Sequence, residues 1–77
     1  SNYMPCTLLG AIHIELGQIA EGQAWYAKAE ARGAPRDDID REVRAILSRL
    51  PAAKRAAIIE ELMANDAVRY EWLGKAF

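Results

Sequence analysis

The chain has 77 residues, which is enough for one small domain and too few for two. Hydrophobic residues make up 52% of the sequence, and the formal net charge is -1. A general nucleic-acid-binding surface needs a concentrated basic patch, so this charge balance argues against that class and favours a protein or peptide partner.

The sequence contains one cysteine, Cys6, so neither an intrachain disulfide nor a cysteine-based zinc site of the usual spacing can form. This fits a reducing compartment, and we expect a cytoplasmic protein. No apolar run approaches the roughly 18–20 residues that cross a bilayer, and no basic segment leads into an apolar one as in a signal peptide. We therefore expect no membrane partner, and we interpret Ser1-Asn2 as the remnant of a cleaved tag.

The first predicted helix covers about residues 4–16. Pro5 suits its first turn, where the missing N–H costs nothing, and Gly17 suits its end because glycine accepts the left-handed backbone conformation. The apolar residues of this helix lie on more than one side, so a single neighbouring helix cannot cover them all. They are Leu8, Leu9, Ile12, Ile14 and Leu16.

The second predicted helix covers about residues 19–32. Gly33 caps its end, and Pro35 prevents its continuation. Gly22 in its interior costs about 1 kcal/mol relative to alanine. We therefore expect a neighbouring helix, the first one, to approach closely at Gly22.

Three more helices are predicted at about 37–49, 52–64 and 67–76, and no segment shows strand alternation. Pro51 separates the third from the fourth, and Asp66 is the expected N-cap of the last. The fourth helix is predicted to bury Ala56, Ile59, Leu62 and Met63. Because the connections are short, the sequence predicts an all-α fold of about five short helices in antiparallel hairpins.

The first two helices share a set of small and aromatic positions with a known repeat. They combine a Leu-Gly pair, a glycine between the helices, a small residue and an aromatic in the second helix, and a closing alanine and proline. These positions are Leu9-Gly10, Gly17, Gly22, Tyr26, Ala29 and Pro35. Together they resemble one tetratricopeptide repeat (TPR), a unit of 34 residues made of two antiparallel helices.

The resemblance covers about residues 3–36 and has identifiable departures. Cys6 stands where the family often has a tryptophan, and His13 replaces the usual aromatic. One repeat later the match fades, because Arg44 replaces a glycine and Glu60 an aromatic.

Membership in this family would imply a right-handed stack of helices, with residues 37–77 packing on the hairpin or capping it within a single domain. Repeat arrays bind partners through a concave surface, which in this family is lined largely by the first helix of each repeat. Transferred by position, that surface contains Met4, Thr7, Ala11 and Ile14. The implied function is a non-enzymatic protein–protein interaction module at the C-terminal end of a TPR-like scaffold.

The residues that could take part in catalysis or metal binding lack the neighbouring groups that such sites need. His13 is the only histidine, and Cys6 has neither a histidine nor a basic cluster near it in the sequence. We expect both to be packing positions, with no catalytic residue, no metal and no cofactor. Trp25 points away from the packing positions of its helix, so it joins the candidate partner-binding residues.

Two other expectations follow from the same residues. A small helical nucleic-acid-binding or regulatory domain, with residues 36–55 as a helix-turn-helix-like unit, is the alternative function. The interleaved acidic residues and the break at Pro51 weigh against it, and we expect no nucleic-acid ligand. If the chain is cut from a longer array, its apolar first helix is expected to pair with a second copy as a homodimer.

Overall fold

The computed structural model describes residues 2–77, so Ser1 of the interpreted tag remnant lies outside the described residues. The order of helices is α1 (Met4–Glu15), α2 (Ile19–Ala31), α3 (Arg36–Ser48), α4 (Ala52–Asn65), α5 (Ala67–Tyr70) and α6 (Leu73–Ala76). No strand occurs within residues 2–77. The predicted all-α class is confirmed, and the first four helices begin and end within one residue of their predicted bounds.

The helix ends follow the local signals in the sequence. Gly17 and Gly33 have φ angles of 80° and 99°, in the left-handed region that favours glycine. Pro5 lies in the first turn of α1, and Pro51 directly precedes α4. The Asp66 side chain accepts a hydrogen bond of 3.2 Å from the Arg69 backbone N–H, which confirms the predicted N-cap.

The predicted final helix is wrong in one respect, because residues 67–76 form two single-turn helices and not one. Glu71 and Trp72 between them keep right-handed helical dihedral angles. The amides of Gly74 and Lys75, however, bond to carbonyls three residues back, as in a 3₁₀ turn. This tighter winding separates α5 from α6 while both remain packed on the core.

Two glycines allow α1 and α2 to approach closely. A Cβ at Gly22 would lie 2.6 Å from Ile14 Cδ1 and 3.0 Å from the Gly10 carbonyl oxygen. A Cβ at Gly10 would lie 2.7 Å from the Tyr26 ring. The expected close approach of the first helix at Gly22 is therefore confirmed, and a larger residue at either glycine would push the helices apart.

The remaining helices stack beside this hairpin. Helix α3 packs on α1, α4 on α2, and α5 on α4. Arg49, just after α3, pairs with Glu15 at the end of α1 over 2.6 Å, while Glu42 lies beside Leu8, so α3 runs in the same direction as α1. The Gln23 side chain of α2 donates a hydrogen bond to the Leu62 carbonyl of α4.

One continuous core joins these helices. Its buried members are Cys6, Ile14, Ile19, Tyr26, Ala29, Ala34, Ile39, Val43, Ile46, Leu47, Ile58, Leu62, Tyr70 and Leu73. In α4 the buried row is Ile58 and Leu62, whereas Ala56, which was expected inside, is exposed. The prediction was wrong there because residues four apart share a helix face, and the row through Leu62 runs back to Ile58.

Arg69 connects three helices through two short ion pairs. Its Nε donates to a Glu30 oxygen of α2 and its Nη1 to an Asp40 oxygen of α3, each over 2.7 Å. Arg36 also contacts Glu30, over 3.3 Å. Because only 10% of the Arg69 side chain is exposed, these pairs are shielded from water and fix α5 against α2 and α3.

Alkaline pH is expected to destabilise the fold through two buried tyrosines. Burial, together with a hydrogen bond to Glu42, raises the pKa of Tyr26 far above its ordinary value, and burial raises the pKa of Tyr70 to about 12. Above about pH 10 the unfolded chain releases the phenolic protons that the folded chain retains, so the free energy of unfolding falls as pH rises. For Tyr70 the loss is about 2–3 kcal/mol between roughly pH 10 and 12.

Denaturation by urea at pH 8, 9, 10 and 11 measures this loss. We expect constant stability up to about pH 9 and a decline above it. Tyr70→Phe should show a shallower decline than the unmodified chain. Equal stability at pH 8 and pH 11 would show that the two hydroxyl groups titrate normally in the folded protein.

Candidate interaction surface

The outward side of α1 carries an exposed apolar row. Met4, Leu8, Ile12 and Leu16 follow one another at intervals of four residues, and we call these four residues the α1 row. Each is between 43% and 66% exposed. Residues at this spacing are neighbours on a helix surface, so the α1 row is a continuous strip about 18 Å long that winds around α1 by about 40° at each step.

The composition of α1 explains why this row is left uncovered. On its inward side Cys6, Gly10 and Ile14 are buried against the rest of the fold. A helix that is apolar on all sides normally has neighbours on all sides. Helices α2 and α3 cover one side only, which leaves the α1 row open.

A depression of about 410 Å³ lies at the beginning of the row, between α1 and α3. It is lined by Met4, Pro5, Thr7, Leu8 and Glu42. The Thr7 hydroxyl donates to the Met4 carbonyl over 2.9 Å, so it is already engaged within the helix. This end of the row therefore combines apolar side chains with one carboxylate.

The carboxylate of Glu42 is held in place by a hydrogen bond from a buried side chain. One of its oxygens accepts a hydrogen bond of 2.7 Å from the Tyr26 hydroxyl. Among residues 2–77, no lysine or arginine forms an ion pair with Glu42. This end of the row is consequently negative.

The opposite end of the row has a different charge pattern. The exposed Arg49 guanidinium reaches Glu15 over 2.6 Å, and both side chains are at least half exposed. The pair neutralises both groups, but the Arg49 side chain is 61% exposed and its guanidinium has further N–H donors that a second carboxylate can reach. The surface has a carboxylate at one end and a guanidinium at the other.

The predicted partner-binding residues of α1 differ in their exposure to solvent. Met4 is exposed, and Thr7 and Ala11 are half-buried on the side of α1 nearer the core. Ile14 is a correction, because its side chain is fully buried and a Cβ at Gly22 would lie against its tip. It belongs to the contact between α1 and α2 and cannot reach a partner.

Trp25 lies on α2 and does not line the depression beside α1. It is half-buried and packs against the core. The Lys28 ammonium lies 4.8 Å from the centre of its ring, a cation–π contact at the surface. The predicted set therefore does not form one continuous surface.

Glu42 and Arg49 are the parts of this surface that sequence reasoning missed. Arg49 follows Glu15 by 34 residues, and Glu42 follows Leu8 by the same interval. That interval equals the 34-residue period of the repeat hypothesis formed from the sequence. Applying the period to the charged residues, and not to the packing positions alone, would have found both.

The two residues that could take part in catalysis or metal binding, His13 and Cys6, contact side chains close to them. His13 Nδ1 lies 2.6 Å from the Gln18 side-chain oxygen, and Cys6 is buried with Arg32 Nη1 3.6 Å from its sulfur. No group of three or more histidine, cysteine or carboxylate side chains in residues 2–77 is arranged to hold a metal ion.

Comparisons with protein-family models, with curated proteins and with solved structures find no match for this chain. Within residues 2–77, none of the helices has the length and apolar character that crossing a membrane requires.

Proposed function

We propose that this chain is a non-enzymatic protein–protein interaction module that docks through the α1 row. The observation that carries the proposal is the exposure of four large apolar side chains on successive turns of α1, whose opposite side is buried in the core. A continuous exposed apolar strip is typical of a protein contact, because leaving it in water is unfavourable.

The module is proposed to be the end unit of a TPR-like helical repeat scaffold, a right-handed stack of helices. In support, α3 lies beside α1 in the same direction, with Arg49 and Glu15 paired across 34 residues. Helices α2 and α4 also lie side by side. In such a stack the first helices of successive repeats line the binding surface, which here are α1 and α3.

The charged residues of α3 support a protein partner over a nucleic acid. Arg41 pairs with Asp38, and Arg49 pairs with Glu15. Arg44 lies over the Trp72 ring at 5.6 Å. Because these basic groups are already balanced or stacked, they do not form the concentrated patch that phosphates require. With its single buried thiol, the chain is proposed to work in the cytoplasm.

Capture of partners from a lysate of the source organism tests this function. We compare the unmodified chain, Leu8→Lys/Ile12→Lys, and the control Val68→Lys, whose site on α5 is 89% exposed. The unmodified chain and the control should retain the same proteins, and the double variant should lose them, because two ammonium groups cannot be desolvated in an apolar contact. If the double variant retains what the control retains, the α1 row is not the docking surface.

A further inference from the structure

We propose that the α1 row is covered by a second copy of this chain, in an antiparallel two-fold dimer. The inference rests on the proposed function, because it names the partner of the same face. Two-fold dimers are the commonest oligomers, and their interfaces pair one surface with itself. The α1 row meets that requirement in its spacing and in its charge.

The spacing of the row makes it complementary to itself when reversed. A two-fold axis that is perpendicular to α1 and lies between the two helices, level with the midpoint of Leu8 and Ile12, places each of these residues opposite the other in the second copy. The same axis places Met4 opposite Leu16. All four side chains are then paired with apolar side chains, and each α1 gains the neighbour that its outer side lacks.

Charge favours the antiparallel over the parallel arrangement. The axis keeps α3 of both copies on the same side of the paired α1 helices and reverses their directions. Arg49, at the end of the row, then lies near the beginning of the other row, where Glu42 has no cation partner among residues 2–77. A parallel pair would instead bring Glu42 near Glu42 of the other copy with no cation beside them, which is repulsive.

The dimer is expected to be weak. Stable interfaces bury about 800 Å² on each partner, whereas a strip of this length offers a few hundred. Two ion pairs at the rim add specificity more than affinity. We therefore expect dissociation at roughly micromolar concentrations.

Cysteine cross-linking tests the register. Met4→Cys and Leu16→Cys are prepared separately, mixed, and oxidised at high micromolar concentration. In the antiparallel dimer the two cysteines face each other, whereas two copies of Met4→Cys hold their thiols about 18 Å apart. We expect the disulfide-linked dimer in the mixture and little in either variant alone.

The unmodified chain is the control for this experiment, because its Cys6 is buried and should not cross-link. Strong cross-linking in Met4→Cys alone would overturn the antiparallel register. Absence of cross-linking in the mixture, together with a monomeric mass by light scattering, would overturn the dimer.

A charge exchange tests the proposed ion pairs independently. Arg49→Glu should weaken dimerisation by about tenfold, because it places a carboxylate near Glu42 of the second copy. Arg49→Glu/Glu42→Lys should restore much of this loss by reversing the pair. Lys54→Glu, an exposed site on α4 with the same change of charge, is the matched control and should dimerise normally.

Sedimentation equilibrium of the folded variants measures their dimer dissociation constants. If the double exchange dimerises no better than Arg49→Glu, the ion pairs are not as proposed. A chain that stays monomeric but loses captured proteins in Leu8→Lys/Ile12→Lys would refute the self-pairing while leaving the interaction function intact. A chain that neither dimerises nor captures protein through this face refutes both.

Discussion

Replacing Arg69 with methionine is expected to destabilise the fold by about 3–5 kcal/mol, because it leaves Asp40 without a cation and Glu30 with only the longer pair to Arg36. Glu30 and Asp40 each accept a hydrogen bond of 2.7 Å from Arg69, and each is 24% exposed. Methionine keeps much of the apolar stem of arginine, so the loss reports the charge and hydrogen bonds more than the packing. The measurement is the free energy of unfolding from urea denaturation.

A surface pair provides the matched control. Arg41→Met removes the pair with Asp38, which is exposed and 3.4 Å long, and should change stability by less than about 1 kcal/mol. Neutralising both acids as well, in Arg69→Met/Glu30→Gln/Asp40→Asn, should recover part of the loss. A change at Arg69 as small as that at Arg41 would show that α5 is not held by these ion pairs.

Gly22→Leu is expected to destabilise the fold by about 1–3 kcal/mol through overpacking between α1 and α2. The first side-chain carbon alone would lie 2.6 Å from Ile14 Cδ1 and 3.0 Å from the Gly10 carbonyl oxygen, so one of the two helices must move. Gly22→Ala should also lose stability, although alanine favours helix more than glycine does. Denaturation midpoints of the variants measure both effects.

Two comparisons separate this clash from a general effect of replacing glycine. Gly74→Ala, in α6 with no atom near the added carbon, should be neutral or stabilise by about 0.4–1 kcal/mol. Ile14→Val removes the Cδ1 atom that Gly22→Ala would meet, so the double variant should lose less stability than the two single losses added together. Stabilisation by Gly22→Ala would mean that the helices are further apart than the structure has them.

The local signals in the sequence were sufficient for the helices because they act over a few residues. Gly17 and Gly33 end α1 and α2 in the left-handed conformation that only glycine adopts easily. Asp66 caps α5 with its own side chain. Gly22 could also be placed correctly, since a glycine within a helix signals a close neighbour even when that neighbour is distant in sequence.

The candidate surface could be predicted only in part, because it depends on which side of α1 the other helices cover. The excess of apolar residues on α1 was visible in the sequence, but the side that remains open was not. Ile14 is covered by α2 at Gly22, whereas Leu8, Ile12 and Leu16 are left exposed. Which side of α1 stays exposed depends on how three helices pack together. The periodicity of one helix does not specify that packing.

The network around Arg69 could not be predicted for a similar reason. Its partners Glu30 and Asp40 are 39 and 29 residues away in the chain, and nothing in the local sequence distinguishes Arg69 from the other exposed-looking arginines. The tighter turn between α5 and α6 has no proline to signal it in the sequence, and it lies between two buried residues, Tyr70 and Leu73.

Self-pairing of the α1 row is tested most directly by methyl NMR of the unmodified chain over a concentration series. We predict that the methyl resonances of Met4, Leu8, Ile12 and Leu16 shift together between roughly micromolar and millimolar concentration, as the dimer forms. Those of Val68, exposed on α5, should stay unchanged. Unchanged α1-row resonances up to millimolar concentration, or shifts confined to Val68, would contradict the assignment of this face as the interface.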